Sequence, residues 1–346
     1  MPPAVPRGAL TRVLTRGQIV AAAIFVAVTL GALYYVLPRV AGLDETWERI
    51  SEGDPWWLAA AAGFELLSFA SYVALFRRVF VRGASRIGWR ASYQITMAGV
   101  AATRLFATAG AGGIALTAWA LRRSGMTRAQ VTSDMTTFIV LLYGVYMLAM
   151  VAAALGLSSG LLAGDPSPAI TLTATLFGAV AILAALAFAL IGHDAGRRGR
   201  GSPSRLARWT AAALRAAAMV GAGVRGALAH ARRGDPAILG AAGWWAFDIA
   251  VLWSCFHAFG TPPPVGVVVL GYFVGMTANT LPVPGGVGSV DGGMIGALIA
   301  LGVDAGLAIV AVLSYRAFAF WLPTIPGVIA YLGLRRTVRA WQASAA

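Results

Sequence analysis

The chain has 346 residues, 59% of them hydrophobic and 12% charged, with a mean hydropathy of +0.75 and a net charge of +14. Soluble domains carry about 25% charged residues, so this composition excludes a water-soluble enzyme, a disordered tail and a disulfide scaffold. The single Cys255 can form no internal disulfide. All 27 basic residues are Arg, and their placement decides whether the charge signals nucleic acid or membrane sidedness.

A membrane-spanning helix needs about 20 apolar residues. Residues 17–38 read as a retained first span, since the stretch after Arg7, Arg12 and Arg16 is long and has no small-residue cleavage site. The acidic stretch from Leu43 to Trp57 is expected on the outer surface, with Trp47, Trp56 and Trp57 at the interface. Further full spans are expected at 56–76, 133–157, 169–191, 237–259 and 307–334. Two more apolar stretches, 91–121 and 266–302, are interrupted by Gly and Pro.

The N-terminal tail, the 77–90, 122–132 and 192–236 loops and the C-terminal tail hold 23 of the 27 arginines. The other loops carry Asp44, Glu45, Glu48, Glu52, Asp54, Asp165 and Asp304. The positive-inside rule puts the basic set, with both termini, on the cytoplasmic side of the cell membrane. Sidedness then accounts for the charge, and nucleic acid is not an expected partner. Segment 91–121, with basic loops on both flanks, is expected to enter and leave on the cytoplasmic side, turning at 108–113; the alternative, a single crossing, would break the charge pattern at 122–132. Segment 266–302, flanked by loops without Arg, is expected to enter and leave from outside, turning at 281–288.

The predicted fold is therefore an all-α polytopic membrane protein, a single integral membrane domain over 1–346. It has about six full transmembrane helices plus two re-entrant helical hairpins. Residues 56–157 and 237–334 run span, hairpin, span with opposite orientation, an inverted repeat of the kind that builds transporters. Half-helices starting near Gly113 and Gly288 would aim free N–H groups at the midplane, which suits an anion. In 192–236, Arg205, Arg208, Arg215, Arg225, Arg232 and Arg233 fall on one helix face, and Leu206, Trp209, Val220, Val224 and Leu228 on the other. That pattern suits a helix lying on the inner leaflet.

Six ionisable residues fall inside apolar segments: Glu65, Arg104, Asp134, Asp248, Asp291 and Arg316. Each costs at least about 2.5–3.5 kcal/mol near a helix centre unless paired, so they are expected to face inward. Arg104 and Arg316 are the expected headgroup-binding pair, with Asn279, Gly285 and Gly286 around the second reversal. Asp291, Asp248, Glu65 and Asp134 are expected as charge partners or proton-coupling groups, with Arg104 approaching Asp291. Fixed ion pairs that only hold helices together are the competing reading. His193, His230 and His257 are scattered, so no metal site is expected, and no cofactor or catalytic residue is indicated. Gly221-Ala-Gly-Val-Arg-Gly226 has dinucleotide-fingerprint spacing, but no strand precedes it. Gly271-xxx-Gly275 and Gly288-xxx-Gly292 suit close helix packing.

Asn279-Thr-Leu-Pro-Val-Pro-Gly-Gly-Val-Gly-Ser-Val-Asp-Gly-Gly293 and Ser314-Tyr-Arg-Ala-Phe-Ala-Phe-Trp-Leu-Pro323 resemble the transmembrane region of lysylphosphatidylglycerol synthases and their free-standing, flippase-like relatives. Gly112-Gly-Ile-Ala-Leu-Thr-Ala-Trp-Ala-Leu-Arg-Arg123 is similar to the matching first-half motif. The resemblance runs over roughly 20–334. It implies movement of aminoacylated phospholipids or other polar lipids between leaflets. The family often carries Glu where Asp291 stands, and a Pro and a Glu where Ala109, Ala111 and Gly113 stand. Its lysyl transfer belongs to a separate soluble domain, so a chain with twelve residues after Leu334 is not expected to be an enzyme. The expected function is a lipid translocase for an anionic or aminoacylated phospholipid or other polar lipid. The alternatives are a secondary transporter of a small anion, or a non-transporting subunit partnering a lipid-modifying enzyme. Expected partners are membrane lipids, such an enzyme and a second copy of the chain. No Walker motif is present, so transport is expected to run downhill or on protons.

Overall fold

The computed structural model describes residues 52–81, 86–105, 111–190, 205–281, 283 and 286–344. The expected first span at 17–38, most of the Leu43–Trp57 stretch, the 108–110 part of the first reversal and Gly285 lie outside them. The described chain contains helices and no strand. In order they are α1 (Pro55–Phe80), α2 (Trp89–Leu105), α3 (Ala111–Arg123), α4 (Arg128–Ser158), α5 (Pro168–Ala189) and α6 (Arg205–Arg232). There follow α7 (Ala237–Phe259), α8 (Val265–Thr277), α9 (Ser289–Ala300), α10 (Ala305–Arg316) and α11 (Leu322–Ala343).

Six described helices are long and apolar enough to cross a membrane: α1, α4, α5, α7, the Ala212–Arg232 part of α6, and the continuous stretch Ala305–Ala343. The last joins α10 to α11 through a π-helical turn, Ala317–Trp321. Local chemistry sets the ends. Asp54 caps α1, Asp304 caps α10, and Thr127 with Gln130 forms a capping box on α4.

Helices α1 and α7 pack antiparallel along their whole length. Asp54 N–H bonds Ala258 O at 2.9 Å, the Phe64 and Phe247 rings stack 6.2 Å apart, and Ser68 Oγ donates to Trp244 O at 3.0 Å. A side chain at Gly240 would strike Leu75 and Ser71, so only glycine lets these backbones approach so closely.

The two broken stretches fold as antiparallel pairs. In α2–α3, Gly99 faces Gly113 and Thr117; in α8–α9, Gly271 meets Leu298 and Gly275 meets Met294. Of the two glycine motifs, Gly271-xxx-Gly275 packs as expected. Gly288-xxx-Gly292 does not: neither residue has a neighbour within 4 Å where a Cβ would point, and Gly288 serves the turn with φ +80°. The first pair packs on α11 and the second on α4. Gly327 of α11 sits on Ala101 and Met97 of α2, and Thr337 Oγ1 donates to Gln94 at 2.8 Å. Tyr146 OH of α4 donates to Phe273 O of α8 at 2.5 Å.

Helix α6 packs on α4 and α5 and touches α7. Gly221 abuts Phe188 O, Gly223 abuts Thr136 and Gly226 abuts Thr137, while Asp235 beyond α6 lies 3.9 Å from Arg78 at the end of α1. The sequence reading placed this helix on the inner leaflet, whereas its Ala212–Arg232 part is long and apolar enough to cross a membrane. Its glycines explain the dinucleotide-like spacing as close packing. The expected polar face is incomplete, because Arg225 turns inward and donates to Ala189 O at 2.6 Å. Trp209, expected on the apolar face with buried Val224, is exposed.

Candidate functional site

The described ends of both broken pairs line one cavity of about 270 Å³. Its polar wall is formed by Thr103 and Arg104 of α2, Thr117 of α3, Asp248 of α7, Asn279 in the 3₁₀ turn Ala278–Thr280 after α8, and Tyr315 and Arg316 of α10. Its other walls are apolar and aromatic: Phe76 and Phe80 of α1, Met135 and Phe138 of α4, and Trp244 and Trp245 of α7.

The charges pair differently from the sequence expectation. Arg316, buried, sets its Nε 2.6 Å from Asp291 Oδ1. Asp291 Oδ2 accepts the Gly288 N–H at 2.8 Å, so the same carboxylate caps the start of α9. That acid occupies the helix end that was expected to be free for an anion. The expected Arg104–Asp291 approach is replaced by the Arg316–Asp291 pair, because α9 packs beside α10. Arg104 instead donates to Ala319 O at 2.6 Å and to Phe320 O at 2.9 Å. Local sequence explains this acceptor: Pro323 has no N–H to satisfy the carbonyl four residues back, which is Ala319. The π-helical turn holds both carbonyls toward Arg104. The Phe320 ring lies under both cations, 4.4 Å from the Arg316 guanidinium carbon and 5.4 Å from that of Arg104.

Asp248 and Glu65 meet where α1 crosses α7, and both are buried. The Phe64–Phe247 stack puts them at the same level of the two antiparallel helices. Asp248 Oδ2 also accepts from the Tyr272 hydroxyl and from the Tyr315 hydroxyl, the latter at 2.8 Å. The charges of Glu65 and Asp248 act on Arg104.

Of the expected residues, Arg104, Arg316, Asn279 and Asp248 share the cavity wall. Gly286 adopts φ +66°, and a Cβ there would crowd Asn279 Oδ1. Asp291 and Glu65 are not among the lining residues; Asp291 is the ion-pair partner of Arg316. Asp134 is buried in α4 and is not among the residues lining the cavity. Sequence reasoning missed Tyr272, Tyr315, Phe320 and the two carbonyls. The signals were Tyr315 beside Arg316 and Pro323 four residues beyond Ala319. Among the described residues no group of three or more His, Cys, Asp or Glu could hold a metal ion.

Comparison with known proteins adds two findings. The family model described as the lysylphosphatidylglycerol synthase TM region matches residues 18–327. A UPF0104 membrane protein of Methanothermobacter thermautotrophicus is 34% identical over 98 residues. That alignment spans 28% of this chain and 28% of the relative.

Proposed function

The chain is a multi-pass membrane protein that belongs to the family of the lysylphosphatidylglycerol synthase transmembrane region, and on that premise we propose that it moves a polar lipid between bilayer leaflets. The substrate class is an anionic or aminoacylated phospholipid or another lipid with a polar, phosphate-bearing headgroup. The observation that carries this reading is the amphiphilic cavity: two arginines at one wall, and Phe76, Phe80, Met135 and Phe138 at another. A guanidinium pair suits a phosphate, and the apolar wall suits the first segment of acyl chain. A transporter of a small soluble anion has no use for that apolar wall, and a purely scaffolding subunit has no use for the cavity.

In this reading the two broken pairs are re-entrant hairpins. At about 1.5 Å per residue, α2, α3, α8 and α9 each fall short of a bilayer core of about 30 Å. Residues 56–157 and 237–334 form the inverted repeat, supported by the reciprocal packing of α2 on α11 and of α8 on α4. The arginine-rich ends face the cytoplasm of the cell membrane, with both termini. The chain itself carries out no lipid synthesis, and a separate lipid-modifying enzyme supplies the substrate.

The test is leaflet exchange of fluorescent phosphatidylglycerol in vesicles, comparing wild type with Arg104→Gln and Arg316→Ala. Exchange at least tenfold slower in Arg104→Gln supports the reading. Equal exchange in all three, or none in wild type across anionic and aminoacylated probes, overturns it.

A further inference from the structure

We propose that the cavity opens sideways into the bilayer through a mouth between α3, α4 and the 3₁₀ turn after α8, and that the acyl chains of a phosphate-bearing lipid pass through it; this rests on the lipid-translocase reading. Among the described residues that line the cavity, Ile114 of α3, Tyr143 of α4 and Asn279 of the 3₁₀ turn are exposed. Ile114 is 47% exposed and Tyr143 48%. A side chain that lines an internal space and is also half open at the surface stands where the two meet. The space is closed elsewhere. Phe76 and Phe80, which line it nearest the arginine-rich end of α1, are buried. So are Asp248 of α7 and Tyr315 of α10, which line it nearest the acidic loops.

Packing explains the gap. Leu157 lies against Gly266 and Tyr146 OH bonds Phe273 O, so α8 runs antiparallel along α4. Helix α8 ends at Thr277, one turn past Phe273, and its cover stops beside Tyr143. Depth decides what the mouth opens onto. Tyr143 is the midpoint of the 31-residue α4, about 22 Å from either end at about 1.5 Å per residue. Both ends clear a hydrocarbon core of about 30 Å, so the midpoint faces acyl chains rather than water. Ile114 in the first turn of α3 and Asn279 just past α8 are the inner ends of the two short pairs and share that level. Tyrosines gather at membrane interfaces; at mid-depth, the Tyr143 hydroxyl suits a polar group passing by. The rim is otherwise apolar at Ile114 and Ile139, while the same cavity holds Arg104 and Arg316. An amphiphile fits that layout, with its phosphate against the guanidinium groups and its chains in the mouth. A small soluble anion would have to cross hydrocarbon to reach it.

Two measurements on the full chain test this. In vesicles of phosphatidylcholine and phosphatidylglycerol, phosphatidylglycerol with a diazirine in its acyl chain labels Ile114, Ile139 and Tyr143 more strongly than the matching phosphatidylcholine probe does. Leu172 and Leu176, exposed on α5, take both probes alike. The same ratio of the two probes at the mouth as on α5 overturns the portal. The second measurement is leaflet exchange of fluorescent phosphatidylglycerol. Ile114→Trp overfills the mouth and slows exchange about tenfold, while Leu176→Trp on the open face of α5 exchanges as wild type. Wild-type exchange in Ile114→Trp, or equal slowing in both variants, overturns the portal. Should Ile114→Trp fail to fold, the photolabelling of the wild type decides alone. Failure of the lipid-translocase reading looks different: wild type moves no probe. The mouth is then judged as a lipid-binding site by the photolabel, and an even ratio there overturns it.

Discussion

Arg104 and Arg316 face the same cavity across one phenyl ring, yet the two regions hold their cations by different means. Around Arg316, an acid from the neighbouring broken pair supplies a full counter-charge at 2.6 Å and caps its own helix with the other oxygen. Around Arg104, the first broken pair contains no acid, and the nearest acceptors are main-chain carbonyls of the π-helical turn. Carbonyls satisfy N–H groups without cancelling charge. The Arg316 region therefore resembles a structural lock, whereas Arg104 is held by main-chain carbonyls with the buried acids Glu65 and Asp248 as its electrostatic partners.

The sharpest way to break this contrast is Asp291→Ala. It strands a buried guanidinium and uncaps α9, and removing one partner of a buried pair costs about 3–5 kcal/mol. The expected outcome in detergent is a large fall in unfolding temperature or loss of the monodisperse protein. The double variant Asp291→Ala/Arg316→Met should recover much of it. If Asp291→Ala unfolds with wild-type stability, the lock is not one.

Gly275→Leu comes next. A Cβ at Gly275 would lie 2.5 Å from Met294 Cα, so the second broken pair must separate, at about 1–3 kcal/mol. Gly292→Ala in the same pair meets open space and is expected to leave unfolding unchanged.

Tyr315→Phe removes one hydroxyl from Asp248 and should cost about 1.5–3 kcal/mol, the range for a hydrogen bond to a charged group. If Asp248 served only as an inert core residue, this variant would also leave lipid exchange untouched; the expectation is slower exchange.

The smallest effects belong to the helix starts that follow each broken pair. Thr127→Ala removes the capping box of α4, and Asp304→Ala removes the bond to Leu307 N at 2.9 Å. Each should cost about 1 kcal/mol by chemical denaturation. Similar values would mark the two regions as equivalent frames around unequal sites.

Much of the frame was legible in the chain. Long apolar runs predict α1, α4, α5, α7 and the Ala305–Ala343 stretch, and the 237–259 span coincides with α7. The interruptions at 91–121 and 266–302 appear as the α2–α3 and α8–α9 pairs. Gly and Pro leave local marks on the backbone, so they can be read without knowing the neighbours. The buried charges were legible as a set, since an ionisable residue in an apolar run must turn inward. Their pairing was not. Sequence distance to a turn suggested Arg104 with Asp291, whereas the packing of α9 on α10 decides for Arg316.

Composition thus settles by itself that the chain is a bundle of apolar helices, because hydropathy acts residue by residue. Only tertiary packing decides which acid meets which base, that the hydroxyls of Tyr272 and Tyr315 meet on Asp248, and that two carbonyls hold Arg104 at the cavity. Those outcomes depend on helix crossings, and a crossing is a property of two surfaces that no single segment contains.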